Sequence, residues 1–418
     1  MASPWIEAND PYLRSDLQFL ADTGVITVPT NSFPVRWSLI VDQFSQIEIA
    51  TLTPAQLLAF RHVQFMLDSA RLGRGRSHLT MDVANQSQAY PSGFAGNFRN
   101  KYQILASQEI TERAFSMRLS SGYRDAQDSS DRLSFDDSYF AVAKDDFSIS
   151  IGWMERWWGP GWQHALGFSQ SSEPIPALAV SYLNPSTPVL GSLWFEALLG
   201  KQDNGLTDDY LAATRLAFKP ATWVQAGLSQ KSWWGGDGEE NKTEEAFSAL
   251  LADSHSTLFT ADLRLSAPLP EEGAGGIYGE KAWLVGDAAN YWLSGVDAQW
   301  LINKQAVRFV IEYTSRLGDG RSRDSDYQQL WTQRYRPAVD AAPGSRLSLG
   351  QYWQFSNDQQ LSMFVHHQEF DGRDSVWLAS TRYQFPALKG RVTLIADKDV
   401  AIDDHHQYTF GTRYEYRF

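Results

Sequence analysis

The chain has 418 residues, with 30 Gly, 17 Pro, 16 Trp, 13% aromatic residues and no Cys. Lack of cysteine excludes disulfides, thiolate metal centres and cysteine nucleophiles, and a formal net charge of −13 with a pI near 5.1 argues against nucleic-acid binding, which needs a basic footprint. Mean hydropathy is −0.37 and no run approaches the roughly 18 apolar residues of a spanning helix; this excludes a helical membrane protein but not a barrel, whose alternating strands average out in any window.

The first residues, Met1-Ala2-Ser3-Pro4-Trp5, carry neither the basic nor the apolar region of a secretory leader. The chain is therefore expected to be either cytosolic or exported with its leader removed. Residues 1–76 read as a helical segment. Asp10-Pro11 supplies an N-cap followed by proline at the first helical position; Leu13, Leu17 and Leu20 follow at helical spacing, and Gly24 stands where a C-terminal cap belongs. A second helix is expected over Val35 to Phe44, after Pro34. A third starts at Thr53-Pro54, runs through Leu57, Leu58, Arg61, Phe65 and Asp68, and stops at Gly73 and Gly75. Such a segment is expected to pack as a cap on something larger.

From residue 77 to 418 the period changes to two. Phe115, Met117 and Leu119 alternate with Ser116, Arg118 and Ser120; Phe259, Ala261, Leu263 and Leu265 with Thr260, Asp262 and Arg264; Phe309, Ile311 and Tyr313 with Arg308, Val310 and Glu312. Roughly 18 to 20 such segments predict one large antiparallel all-β sheet system. Alternation alone does not separate a soluble barrel or propeller from a membrane barrel, but no blade motif recurs at the period of about 40 to 50 residues that a propeller needs. Short turns such as Asn303-Lys304 and Asn357-Asp358 differ from longer Gly-, Asp- and Ser-rich stretches at Ser232 to Glu245, Glu271 to Gly276, Gly318 to Ser325 and Asp397 to His406. Short turns at one rim and long loops at the other are the pattern of outer-membrane barrels. Arg118, Asp262, Arg264, Arg308, Glu312, Arg382, Arg413 and Glu415 keep to the polar parity, which suits a wet or salt-bridged lumen as well as a solvated exterior.

One stretch breaks the alternation. After Phe147, Ile149, Ile151 and Trp153, the residues Glu155, Arg156, Trp157, Trp158, Gly159-Pro160-Gly161, Trp162 and Gln163 form an aromatic, charged turn before alternation resumes over Ala165 to Ser169. Turn chemistry ordinarily asks for Gly, Pro, Asn, Asp and Ser. Tryptophan faces stack on sugar rings while Arg and Glu hydrogen-bond hydroxyls, so the turn is a candidate saccharide site; taken alone, its indoles are accounted for somewhat better by a loop packed on itself or a bilayer-interface girdle. Outside the barrel Trp157 and Trp158 would be sugar platforms, and inside they would pack the helical cap. Trp233, Trp234, Asp237 and Glu239 of a long loop are candidates of the same kind.

At the end of the chain Tyr408, Phe410, Thr412, Tyr414, Tyr416 and Phe418 share one parity. A barrel whose last strand ends on alternating aromatics, Tyr414, Tyr416 and Phe418, resembles the assembly signal of bacterial outer-membrane proteins, which points to export with the leader removed and to the barrel-assembly machinery as a partner.

Catalytic signatures are absent: no Gly-x-Ser-x-Gly elbow, phosphate loop or zinc helix motif occurs. His366-His367 and His405-His406 point to opposite faces of a strand, so neither pair chelates a metal by itself. Asp136-Asp137 and Asp145-Asp146 read as turn solvation, and the Asp-Gly stretches at Asp319 and Asp371 as turns rather than calcium sites. No catalytic, metal or cofactor site is expected.

The segment GWMERWWGPGW at Gly152 to Trp162, following a helical N-terminus with Leu17 and Val25 to Pro29, the Gly93-Phe94-Ala95-Gly96-Asn97 run and Ser181-Tyr182-Leu183-Asn184-Pro185, resembles the Wzi family of capsule-assembly outer-membrane proteins. The resemblance covers essentially the whole chain, and the tryptophan turn is its most specific part. It implies an 18-stranded barrel with a small helical bundle at the periplasmic end: a monomeric, non-enzymatic, lectin-like protein that holds capsular or extracellular polysaccharide at the cell surface, with outer-membrane lipid around it. The alternative expectations are a diffusion channel for saccharides or other small solutes and, more remotely, an outer-membrane hydrolase.

Overall fold

A computed structural model describes residues 4–72, 77–86, 93–95, 98, 100–112, 115–125, 133–170, 174–203, 208–235, 257–285, 290–317, 344–370, 373–400 and 406–417. The N-terminal part comprises β1 (Trp5–Ile6), α1 (Pro11–Asp22), β2 (Ser32–Phe33), β3 (Val35–Arg36), α2 (Ser38–Gln46), a 3-10 turn at Ile49–Thr51 and α3 (Pro54–Arg71). Asp10 caps α1 by accepting from Tyr12 and Leu13 N–H, and Thr53 forms a full capping box with Gln56 on α3, both followed by proline. The second helix departs from expectation. Val35–Arg36 pairs with Trp5–Ile6 as a two-stranded ladder, so those residues are extended and α2 begins only at Ser38. In α3 the buried face is Ala55, Ala59, Phe60, Val63 and Leu67, whereas Phe65 faces out.

The remaining strands are β4 (Ser77–Ala84), β5 (Tyr102–Thr111), β6 (Phe115–Arg124), β7 (Leu133–Ser134), β8 (Tyr139–Lys144), β9 (Phe147–Trp153), β10 (Trp157–Trp158), β11 (Pro176–Thr187), β12 (Gly191–Asp203), β13 (Asp208–Ala221), β14 (Val224–Gly235), β15 (Thr257–Leu269), β16 (Gly273–Leu284), β17 (Asn290–Ile302), β18 (Gln305–Leu317), β19 (Ser345–Gln354), β20 (Gln360–Phe370), β21 (Arg373–Ala387), β22 (Gly390–Val400) and β23 (His406–Arg417). All but β10 join one closed antiparallel barrel: 18 full strands and the two-residue β7 among the described residues. The seam is β23 on β4, from Gly411↔Ala84 to Arg417↔His78.

Alternation sets the two faces. Phe115, Met117, Leu119, Ile149, Ile151, Phe309 and Ile311 are exposed on the outer wall, while Glu109, Arg215, Asp262, Arg264, Glu280, Asp297, Arg308 and Glu312 are buried in the lumen. An apolar band outside and charge inside suit a wall bathed in hydrocarbon. Aromatic pairs mark the band edges: Phe115 on Phe140 near one rim and Tyr102 on Tyr123 near the other. Tight turns at one rim include Asn303-Lys304 and Leu388-Lys389, each with two positive φ values, the geometry of two-residue hairpins. Glu271 to Gly276, expected as a long loop, belongs to this rim as well. Only Pro270 to Glu272 turn, because β16 pairs with β15 from Gly273 onward. Its glycines admit close neighbours: a Cβ at Gly273 would meet the Trp300 indole at 2.3 Å, and one at Gly276 the Arg264 guanidinium at 2.8 Å. The helical part sits toward this short-turn rim, with Arg36 donating to the Asp146 carbonyl at 3.1 Å.

Candidate functional site

Between β9 and β11 the chain turns away from the wall and enters the lumen. Trp157 and Trp158 pair as β10 with Phe33 and Ser32 of β2, adding a strand to the N-terminal part. No strand leads out over Ala165 to Ser169, contrary to expectation; only Phe168 bridges back to Trp158, and the wall resumes at Pro176. Trp157, Trp158 and Trp162 are at most 1% exposed. Rings so enclosed have no face free for a sugar, which overturns their reading as platforms in this conformation. They pack the plug instead: Trp157 against Phe94, and Trp158 against Phe168 and Trp194. At about 25 cal/mol per Å² and roughly 150–250 Å² per ring, each contributes up to about 4–6 kcal/mol toward folding inward.

Polar anchors fix this loop from both sides. From the plug, Arg14 gives Nη2 to the carbonyls of Pro160 and Gly161 at 3.0 and 2.8 Å, with its guanidinium 4.3 Å from the Trp162 ring centroid and 4.5 Å from that of Phe94. Burial pushes the Arg14 guanidinium down to about 10. From the wall, Glu312 accepts Trp162 N–H at 2.7 Å, His164 N–H at 2.7 Å, Gln163 N–H at 3.2 Å and the Tyr278 hydroxyl at 3.0 Å. Glu280 does the same for Leu166 and Gly167 N–H, at 2.9 and 3.0 Å. A carboxylate aimed at consecutive backbone N–H groups is a charge-assisted clamp. Burial, then the charge of Arg346, pushes the His164 imidazole well down, so it stays neutral inside.

The plug is keyed to the wall by ion pairs. Arg264 holds Asp22 of α1 at 2.7 Å and also Asp297, which in turn pairs with Arg308; Arg308 reaches Ser15 Oγ at 2.7 Å. Arg215 pairs with Asp262 at 2.5 Å, and Asn31 donates to the same carboxylate at 2.6 Å. Buried pairs of this kind add little net stability but tolerate only one arrangement of their partners. They set the register of α1 in the lumen. A helical plug from one end and a tryptophan loop from the other thus meet at Arg14, and the described lumen is occupied where they meet.

The family model for capsule assembly protein Wzi matches residues 70–415. The chain belongs to that family. Wzi of Escherichia coli, an outer-membrane protein involved in group 1 capsule assembly and described as a carbohydrate-binding β-barrel, superposes with a TM-score of 0.84 over 100% of both chains at 16% identity; at that identity the likeness establishes the fold. An uncharacterized 55.8 kDa protein in the cps region of Klebsiella pneumoniae is 21% identical over 332 residues, 73% of this chain, and the match spans 64% of that relative's length.

In this Wzi-family barrel the remaining candidates separate. Arg156 is buried and donates Nε to Glu196 at 2.7 Å, a tether rather than a free sugar contact. Gln163 is buried against the Tyr352 hydroxyl at 3.2 Å. Glu155 accepts from Gln170 at 2.5 Å, and Trp153 ends β9 half-buried beside Phe135. Trp233 and Trp234 fall on opposite faces: Trp233 packs toward the luminal core, while Trp234 stacks on Tyr210 at 5.8 Å on the outer face, away from Trp233. Asp237, Glu239 and Phe418 lie outside the described residues; Tyr414 and Tyr416 are on β23. Sequence reasoning missed Arg14, Glu280 and Glu312 as partners of the tryptophan turn. The one available signal was charge on strand parities that face the lumen.

Proposed function

We propose that this protein is an outer-membrane barrel that retains capsular or extracellular polysaccharide at the cell surface without transporting it. The observation that carries the reading is the junction at Arg14, where the helical plug and the inward tryptophan loop meet inside the described lumen. A diffusion channel would need that path open. Short turns lie on the periplasmic side of outer-membrane barrels, so in this reading the plug is at the periplasmic end and the opposite rim, where Trp153 and Gly235 end β9 and β14, is at the cell surface. The outer apolar band sits in lipid, the aromatic C-terminal strand serves assembly, and the barrel acts as a monomer.

Polymer contact is placed at the long-loop rim, where Trp153, Glu155 and Trp233 are half-buried and Asp237 and Glu239 follow Trp233 in the chain. Half-covered indoles can stack on sugar rings, and carboxylates can hydrogen-bond hydroxyls. The tryptophan turn serves this rim by holding its base rigid, not by touching sugar with Trp157, Trp158 or Trp162. The test is a polysaccharide pull-down with the detergent-solubilised protein. Retention above that of an unrelated barrel, reduced by Trp233→Ala and by Asp237→Ala with Glu239→Ala, and without release of shorter glycans, is expected. Retention no better than the unrelated barrel, or porin-sized conductance in planar bilayers, would overturn the proposal.

A further inference from the structure

The tryptophan loop is clamped by side chains of β12 to β19, and the wall from β20 to β23 retains a polar cleft. Its other side is the start of α1, with Asp10 and Tyr12; Arg391 and Arg417 line it at the short-turn ends of β22 and β23. Four arginines line it: Arg382 on β21, Arg391 on β22, and Arg413 and Arg417 on β23. Two are committed. Arg413 makes a fork with Asp82, 2.8 Å on both arms, and Arg417 approaches Glu415 at 3.6 Å. The other two are not. Arg382 gives Nη1 to the Ala95 carbonyl at 2.6 Å while its buried Nη2 has no acceptor, and Arg391, opposite Glu415 in the ladder, makes no ion pair within 4.0 Å among the described residues.

Unspent guanidinium N–H donors in a partly enclosed cleft suit an oxygen acceptor, because a buried donor left unsatisfied is costly, and the planar fork fits carboxylate oxygens. Hydroxyl and amide groups of Ser362, Ser380, Gln384 and Thr393 stand beside them, and the Thr393 hydroxyl is itself buried without a partner. Tyr12, Phe98 and Phe364 supply apolar walls. Asp82 pairs with Arg413, and Asp397, Glu415 and Asp10 are the further carboxylates near the arginines and Tyr12, so the cleft carries little net charge and offers donors to a singly charged group rather than a field for a dianion. We propose that this cleft binds the carboxylate-bearing residue of an acidic saccharide, entering from the short-turn end. This rests on the polysaccharide reading only for the choice of a sugar; the site itself is separate from the long-loop rim.

Isothermal titration of the full chain in detergent, with tetragalacturonate, maltotetraose and inorganic phosphate as probes, tests it. Tetragalacturonate is expected to bind and the other two to bind at least tenfold more weakly. Arg391→Ala is expected to weaken tetragalacturonate binding by roughly tenfold or more, the loss of a charge-assisted bond. Thr393→Phe, which fills the cleft and leaves every charge in place, is expected to weaken it equally. Heat-modifiable gel migration reports that each variant is folded. Phosphate binding as tightly as tetragalacturonate would reduce the cleft to a bare anion site, and unchanged binding in both folded variants would place the contact elsewhere; either result overturns the assignment. Polymer pull-down with Arg391→Ala separates the two proposals: polymer retained while tetragalacturonate fails to bind even the unsubstituted protein removes the cleft alone, whereas no retention by the unsubstituted protein removes the rim reading.

Discussion

Glu312 is the most informative side chain to remove. It lies on β18 and accepts N–H groups from three consecutive residues of the inward loop, two at 2.7 Å and the third at 3.2 Å, besides the Tyr278 hydroxyl. A hydrogen bond to a charged group is worth about 1.5–3 kcal/mol net, so the two short bonds alone hold the loop by about 3 kcal/mol at the low end. Since 1.4 kcal/mol is a factor of ten, Glu312→Ala should raise the fraction of molecules with the loop released by roughly 100-fold. Glu280, Arg14 and the three buried indoles remain, so the loop should still be inside most of the time. The chain has no cysteine, and Leu166 is 3% exposed, so Leu166→Cys provides a single hidden reporter whose alkylation rate tracks loop release. Labelling about 100-fold faster with Glu312→Ala is expected, and faster again when Glu280→Ala is added. An increase below about threefold, with the reporter slow in both backgrounds, would show that the carboxylate clamp does not hold the loop.

Other substitutions probe other joints. Asp297→Ala strips two buried guanidiniums, Arg264 and Arg308, of a shared partner, which should cost about 3–5 kcal/mol; the heat-modification temperature in gels should fall, and fall less in Asp297→Asn. Burial alone would lower the His62 imidazole, but its 2.5 Å contact with Asp16 outweighs that and raises it overall. The stabilisation is therefore full below the unfolded value near 6.5 and is lost as pH rises through the folded one. Hydrogen exchange in α3 should accelerate on going from pH 6 to pH 9 after correction for intrinsic rates, an acceleration absent in His62→Gln. Thr53→Ala removes the capping box of α3 and should cost about 1 kcal/mol, read as faster exchange in the first turn of α3 with barrel strands unaffected.

Much of the wall was legible because each strand answers to two solvents at once. Phe115, Met117 and Leu119 had to share a parity to face hydrocarbon, and that parity is written within ten residues. Helix starts were legible for the same local reason: Asp10-Pro11 and Thr53-Pro54 carry cap and proline in adjacent positions. Locality fails elsewhere. Val35 and Arg36 look helical until Trp5 and Ile6 take up their backbone groups. The Gly-rich run after Glu272 looks like a loop until Trp300 and Arg264 occupy the space a side chain would need. The tryptophan turn is the extreme case. Its partners Arg14, Glu280 and Glu312 stand 146, 114 and 150 residues away, so a window around it shows indoles in excess and nothing about where they go.

That distribution of partners bears on why a surface-retention barrel would have charged lumen residues at all. In a channel such carboxylates and guanidiniums would face water and shape a passing solute's field. Here Glu280 and Glu312 are used up on backbone N–H groups, and Asp22, Asp262 and Asp297 on arginines that also touch the plug. Interior charge therefore works as a set of keyed fasteners, each intolerant of a shift that would leave it unpaired. Under the proposed function, a base made rigid in this way keeps Trp153 and Trp233 at fixed positions on the long-loop rim, and preorganised aromatic contacts lose less entropy on meeting a flexible polymer. It follows that loosening the fasteners and removing rim residues should have different signatures. Under the same proposal Glu312→Ala should weaken polymer retention through loop release, and second-site stabilisation of the loop should restore it; Trp233→Ala should weaken retention with Leu166→Cys labelling unchanged.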